Sequence, residues 1–199
     1  GELVLAFNPV SKSSKTGISA HFGADIALVS TNHPDYNGVE QLSHGEREPF
    51  IISGPGDYEV KEVFVKGVLS NISISGKNYI NTIYSFSLDE IKIVFLGALS
   101  DATLSKEVHE SIDSPDIIFV PIGGTTLSKD FTFLEAKAAA KLVSSLEPKL
   151  IIPMSYDDNS LKIFLKEMGE EKAPEVDKLT LKAKDLMGKE ASVVVLSIV

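Results

Sequence analysis

Six short runs rich in Val, Ile and Leu, at residues 3–7, 24–29, 91–96, 116–121, 149–153 and 192–199, are mostly continuous rather than alternating. A strand covered on both faces needs no polar side, so these runs predict buried strands. Between Glu59 and Ser87 the pattern changes to alternation, as in Val63-Phe64-Val65 and Ile72-Ser73-Ile74, with a turn at Gly76-Lys77-Asn78. A period of two predicts antiparallel hairpins with one solvated face. Helical spacing enters only between the later strands. Leu134, Ala138, Leu142 and Val143 make an apolar stripe that Pro148 closes, and Thr132-Phe133-Leu134-Glu135 has the form of a capping box, so a helix is predicted from Thr132. A second helix is expected over residues 103–112, introduced by Ser100-Asp101. A third is expected over 160–168, with Asp158 or Asn159 as cap and Gly169 as terminator. Hairpins followed by strand-helix alternation predict an α/β architecture of two packed sheets with helices outside, a four-layer αββα sandwich.

Composition narrows the function classes. The 199 residues, 43% of them hydrophobic, contain no internal repeat or linker, which predicts a single domain over residues 1–199. A net charge of −9 repels nucleic acid and anionic membrane surfaces, and no Lys/Arg cluster offsets it locally. Without cysteine there is no disulfide framework and no thiolate metal site, which fits a reducing compartment. The longest apolar stretches, such as residues 91–99 and 116–122, fall short of the about 20 residues a membrane-spanning helix needs, and no charged-then-apolar leader opens the chain. The expectation is a soluble cytoplasmic protein whose acidic stretch at 167–175 is a surface loop.

Candidate chemistry concentrates in residues 24–38, where a buried strand runs into Ser30-Thr-Asn-His-Pro-Asp-Tyr-Asn-Gly38. This segment resembles the metal-binding segment of the metallo-β-lactamase superfamily, in which such a strand enters a His-x-His-x-Asp-His loop followed by Gly. Other segments resemble the same family in the same order. Residues 3–9 are similar to an early strand ending in Asp-Pro, with Asn8 in the acidic position. Gly54-Pro-Gly-Asp-Tyr-Glu59 resembles a glycine-acid-Tyr-Glu turn, and Asn81-Thr-Ile-Tyr84 leading to Ile93-Val-Phe-Leu-Gly-Ala98 resembles a strand pair ending in Gly-Asp. Pro121-Ile-Gly-Gly124, the helix after Glu135, and Pro153-Met-Ser-Tyr156 resemble a Pro-x-Gly-Gly, helix and Pro-Met-His-Tyr series, and residues 179–195 a closing hairpin. Within that superfamily the chain resembles lactonase-like, predicted Zn-dependent hydrolases.

The resemblance implies the αββα fold and a cleft where ligand loops meet. It also implies a chemical defect. Carried over position by position, the first His of the loop is Thr31, the second is His33, the Asp is Asp35 and the last His is Tyr36. The bridging Asp is Ala98, the His of the last motif is Ser155, followed by Tyr156, and one further His would fall near Ser70 or Asn71. Thr, Tyr and Ser hydroxyls are poor ligands for Zn²⁺, Mn²⁺ or Fe²⁺ beside imidazole and carboxylate. A closed zinc site contributes on the order of 10–16 kcal/mol, so losing most of its ligands should abolish tight binding. No metal cofactor is therefore expected; the alternative is Zn or Mn.

His33, Asp35 and Asp57 are the candidate catalytic residues, and each has a structural reading beside the functional one. Asp35 can accept local backbone N–H bonds, with His33 bonded to Asp35 or a neighbouring carbonyl. Asp57 and Glu59, alternate residues of an extended segment, can be an acid/base pair or can simply line a turn. A substitute metal site from His21, His44 and Asp57 has no ligand-like spacing behind it, and His109 falls in a helix. Ser155 invites a nucleophile reading but lacks a Gly-x-Ser-x-Gly elbow, and Gly123-Gly124 lacks phosphate-loop spacing. Two functions follow. One is a degenerate family member, without metal-dependent hydrolysis, acting as a binding or assembly protein for a small molecule or another protein. The other is a divergent lactonase- or phosphoesterase-like hydrolase with an unusual site around His33 and Asp35, with Asp57, Asp101 or Asp157 as further candidates. Neither reading takes nucleic acid or membrane as a partner, and both leave a homo-oligomer open.

Overall fold

The computed structural model describes residues 2–15, 19–124 and 130–197. Three short strands, β1 (Leu5–Phe7), β2 (Ile26–Leu28) and β3 (Phe50–Ile52), pair in parallel to form a small sheet in that order. An antiparallel ribbon follows, of β4 (Gly56–Val60), β5 (Val63–Ile74), β6 (Lys77–Leu88) and β7 (Ile91–Phe95). Its hairpin loops are the pairs Lys61-Glu62, Ser75-Gly76 and Asp89-Glu90, every one with positive φ (50 and 66, 49 and 73, 48 and 64). That is the backbone of the two-residue turns whose twist matches the flanking strands. The central turn therefore sits one residue before the expected Gly76-Lys77-Asn78.

Strands and helices then alternate: α1 (Lys106–Ile112), β8 (Ile117–Pro121), β9 (Phe131–Thr132), α2 (Ala136–Ser145), β10 (Leu150–Met154), α3 (Asp158–Met168), β11 (Glu175–Val176), β12 (Ser192–Val193) and β13 (Val195–Leu196). The large sheet runs β12-β10-β8-β7-β6-β5-β4, with β9 added beside the far end of β5. Its β7, β8, β10 and β12 are parallel. The run expected as one strand over 192–199 divides: β12 joins β10 while β13 pairs with β11. In place of the expected closing hairpin over 179–195 there is a 3-10 turn at Ala183–Leu186.

Helix starts obey local chemistry with shifts that packing explains. Ser105 caps α1 by accepting the Val108 N–H at 3.2 Å, so the helix begins later than residue 103. Asp157 caps α3, taking the Ser160 N–H at 2.7 Å while its own N–H donates to Ser160 Oγ at 3.0 Å, and Gly169 ends it at φ 71. The capping box read at Thr132 is not used. Thr132 belongs to β9, opposite Ser73, and α2 starts only at Ala136. Extension there buries Phe131 and Phe133 against Ile72 and Ile74, about 1.5–3 kcal/mol for each ring, which outweighs one cap worth about 1 kcal/mol.

All three α-helices lie on one face of the large sheet, where Val108, Ile112, Ala139, Val143 and Phe164 meet Val94, Ile118 and Ile151. The opposite face packs on the small sheet through Ile26, Leu28 and Ile52 against Val65, Phe86 and Phe95. The C-terminal segment covers the rest of that face with Leu186 and Val194. On the outer side of the small sheet, Val39 and Leu42 of a 3-10 turn rest on Ala6, Ala24 and Ala27. The α/β sandwich of the sequence reading is present, with its second outer layer reduced to this turn among the described residues. No helix among them is long and apolar enough to cross a membrane.

Two features carry the small sheet's loops to the large sheet. Pairing of β6 with β7 stops at Tyr84 opposite Phe95, so the start of β6 has a free edge. Ser30 and Thr31 occupy it: Thr82 N–H donates to Ser30 O at 2.8 Å and Thr31 Oγ1 to Ile80 O at 2.6 Å. Beside them the buried Tyr84 hydroxyl donates to Val29 O at 2.7 Å, with Ile52 O at 3.2 Å, and burial raises its pKa so that it stays a donor. Tyr84→Phe should cost about 1–3 kcal/mol in a denaturant melt, the cost of an unsatisfied buried carbonyl.

Candidate functional site

Part of the segments expected to meet lines one cavity. Asp35 and Tyr36 after β2, Gly97 after β7, and Met154, Ser155 and Tyr156 at the end of β10 line one cavity of about 520 Å³. These are loops at the carboxyl ends of strands, where α/β sheets place their sites. Asn8, after β1, completes the rim. Thr31, His33 and Ala98 are not on this wall. They sit behind it or beside it, each committed elsewhere.

Thr31 is buried with its hydroxyl on the Ile80 carbonyl. His33 Nδ1 accepts the Asp35 backbone N–H at 3.2 Å, which leaves the ring proton of the neutral imidazole on Nε2. The same ring meets Phe131 edge-on, 4.8 Å between centroids. Asp35 Oδ1 accepts from Ser14 Oγ at 2.6 Å, and its other oxygen lies 3.8 Å from His33 Nδ1. Tyr36 stands edge-on to Phe131 at 5.4 Å; burial and then the Asp35 charge raise its pKa, keeping it a neutral phenol. Ala98, 1% exposed, packs among Ile72, Ile74, Phe131, Phe133 and Tyr36. Where a bridging carboxylate would stand there is an apolar, aromatic cluster.

Beneath the loops runs a buried polar network that the sequence reading did not single out. Asn81, 0% exposed, donates to Ser70 Oγ at 2.7 Å and Leu96 O at 3.0 Å, and accepts the Ala98 N–H at 2.8 Å. Ser70, near which one ligand was expected, serves Asn81 instead. Asn8 holds the next loop, accepting the Ser30 N–H at 2.8 Å and donating to Ser30 Oγ at 3.0 Å. Every polar group in this chain of contacts has a protein partner, so hydrogen bonds join the loops. A Phe-x-Phe alternation at 131–133 was the available signal for the aromatic part; nothing local marked Asn81.

The remaining candidates lie apart. Asp57 and Glu59 share the exposed face of edge strand β4, outside the cavity, while Tyr58 between them turns back to donate to Gly54 O at 3.0 Å. The pair lies on a strand, not in the turn that was expected. His21 and His44 are 5.7 Å apart, ring to ring, but Asp57 does not join them: among the described residues no group of three or more His, Cys, Asp or Glu is placed to hold a metal. Asp101 accepts the Thr103 N–H at 2.7 Å and Asp157 caps α3. His109 lies in α1, and Gly124 exchanges backbone hydrogen bonds with Phe133 and Leu134 beside an antiparallel bridge of Gly123 to Glu135. His33 and Asp35 also line a smaller pocket of about 310 Å³ with Ser13, Lys15, Ser75 and Asp130.

Comparison with known proteins agrees with this geometry. A model described as a beta-lactamase superfamily domain matches residues 1–155. Among solved structures, the chain is similar to a Thermotoga maritima protein described as a Zn-dependent hydrolase of the metallo-β-lactamase superfamily. That match has 26% identity and a TM-score of 0.70, over 98% of this chain and 88% of the other. A Parabacteroides distasonis protein described as a metal-dependent hydrolase matches at 14% identity and TM-score 0.62, over 96% and 84% of the two chains. Igni18, described as a metallo hydrolase from Ignicoccus hospitalis, matches at 15% identity and TM-score 0.56, over 96% and 86%. Curated proteins gave no significant match. The chain thus belongs to the beta-lactamase superfamily, whose fold it keeps while the positions that resemble the family's metal ligands hold mostly other chemistry.

Proposed function

We propose that this chain is a metal-independent binding protein of the cytoplasm that uses the 520 Å³ cavity of the superfamily fold for ligand capture rather than hydrolysis. The observation that carries the reading is the state of Ala98 and its surroundings. A methyl group packed under Phe131, Phe133 and Tyr36 offers no ligand, and a metal placed there would face aromatic carbon. Metal-dependent hydrolysis needs an ion that supplies a hydroxide near neutral pH and polarises the scissile bond. The residues here do not fit such an ion: Thr31 is spent on a carbonyl, Ser155 contributes only a hydroxyl, and His33 Nδ1 is spent on a backbone N–H. His33 and Asp35 are loop-fixing groups in this account, and the absence of cysteine accords with a reducing compartment.

The divergent-hydrolase reading has one observation in its favour, the small polar pocket that His33 and Asp35 share with Asp130. Thermal melts of the parent, His33→Ala and Asp35→Ala, with and without a chelator, separate the two. Loop hydrogen bonds predict losses of about 0.5–3 kcal/mol in each variant, with no chelator effect in any of the three proteins. A melting temperature that falls on chelation in the parent but not in the variants would place a metal at His33 and Asp35 and support the hydrolase.

A further inference from the structure

The cavity has two unlike parts. Its body is lined by partly exposed apolar side chains, among them Phe7, Val10, Phe119, Met154 and Leu196. Half-exposed rings and aliphatic groups lining one open cleft are what small-molecule pockets are made of, and about 500 Å³ falls within their usual range. Phe7 and Phe119 stack at 6.0 Å, so the wall presents flat carbon surfaces. The rim is polar and strained. Ser155 at φ 49 and Asn8 at φ 44 are non-glycine residues in the left-handed region, and both line this same cavity. This conformation costs a serine more than an asparagine, and such strain is found at ligand sites as well as in turns. The hydroxyls of Ser155 and Tyr36, both residues of the wall, form no hydrogen bond with any other described residue.

Resting on the metal-free reading above, we infer that the cavity takes an uncharged, flat, largely apolar molecule carrying one oxygen, its body against Phe7 and Phe119 and its oxygen met by Ser155 and Tyr36. Charge is disfavoured for an anion by Asp35 on the rim and by the net charge of −9. A phenol and a hydroxyl can each donate or accept, which suits an alcohol, a phenol or a carbonyl oxygen.

The probes are naphthalene, 1-naphthol and 1-naphthoate, titrated by amide NMR against the folded protein. The expected result is that shifts map to the cavity wall, 1-naphthol binds about 3–10-fold more tightly than naphthalene, and 1-naphthoate binds worst. Tyr36→Phe and Ser155→Gly should each shrink the naphthol preference while sparing naphthalene affinity. Ser155→Gly should also raise the melting temperature by about 2 °C as the backbone strain is relieved, a gain that a merely structural serine would not trade against ligand preference. Leu196→Trp, by filling the cavity, should abolish both neutral ligands; if it fails to fold, Val10→Trp serves the same purpose. Equal affinities for naphthalene and naphthol, a preference that survives both rim substitutions, or preferred binding of naphthoate overturns the inference. If no probe binds and melts are insensitive to chelator, the ligand class is wrong and the metal-free reading stands. A chelator-sensitive melt instead removes the reading beneath it.

Discussion

Ala98→Asp, introduced alone, should cost about 3–5 kcal/mol and leave little folded protein, because it buries an uncompensated carboxylate. The methyl of Ala98 is 1% exposed and touches Ile72, Ile74 and Phe131, and the backbone N–H that might have met the new charge is already given to Asn81. The same substitution has a different outcome in company. Thr31→His, Tyr36→His, Ala98→Asp and Ser155→His together supply imidazoles and a carboxylate beside His33 and Asp35, so the charge gains a cation to face. The fourfold variant should be destabilised in chelator and recover stability as Zn²⁺ or Mn²⁺ is added, its melting temperature rising with metal concentration. Melts across a metal series read this directly. Activity need not return, since the groups that orient each imidazole are absent and their loss typically costs about 10–100-fold in affinity or rate. A fourfold variant that folds as well as the parent and ignores metal would mean that these positions do not form one site.

Gly97→Ala should cost about 3 kcal/mol or more, from strain and overpacking together. A Cβ there would lie 2.5 Å from Asn81 Oδ1 and 2.6 Å from Ser30 Cβ, on a backbone at φ 63. Neither neighbour can yield. Asn81 makes three hydrogen bonds through its amide, to Ser70, Leu96 and Ala98, and Ser30 is buried and fixed by Asn8 and Thr82. Gly76→Ala is the control, with φ 73 but nothing within 4 Å, and should cost only the about 1–2 kcal/mol of a left-handed alanine. Equilibrium unfolding of the two variants separates the clash from the backbone term.

The buried strands were legible because a run such as Ile117-Ile-Phe-Val120 has few other structural uses, and α3 because Gly169 ends it, although its cap is Asp157 rather than the expected Asp158 or Asn159. The hairpin turns were harder. Lys61-Glu62 and Asp89-Glu90 take left-handed conformations that their side chains do not favour; strand pairing, not turn propensity, holds them there. At Thr132 a genuine local signal lost to tertiary burial of two phenylalanines. The cleft was legible only in outline. Resemblance located Tyr36 and Ser155 on its wall, but that Thr31 and Ala98 do not line it depends on side-chain direction, which strand pairing sets and sequence spacing does not. Asn81 was not legible as a site residue because its partners lie 11 to 17 positions away, at Ser70, Leu96 and Ala98.

Elemental analysis of the purified, dialysed protein tests the central claim most directly. The account predicts Zn, Mn and Fe far below one equivalent per chain, since the aromatic cluster around Ala98 and the committed Thr31 and His33 leave no donor set for an ion among the described residues. Near-stoichiometric metal that survives dialysis would contradict it.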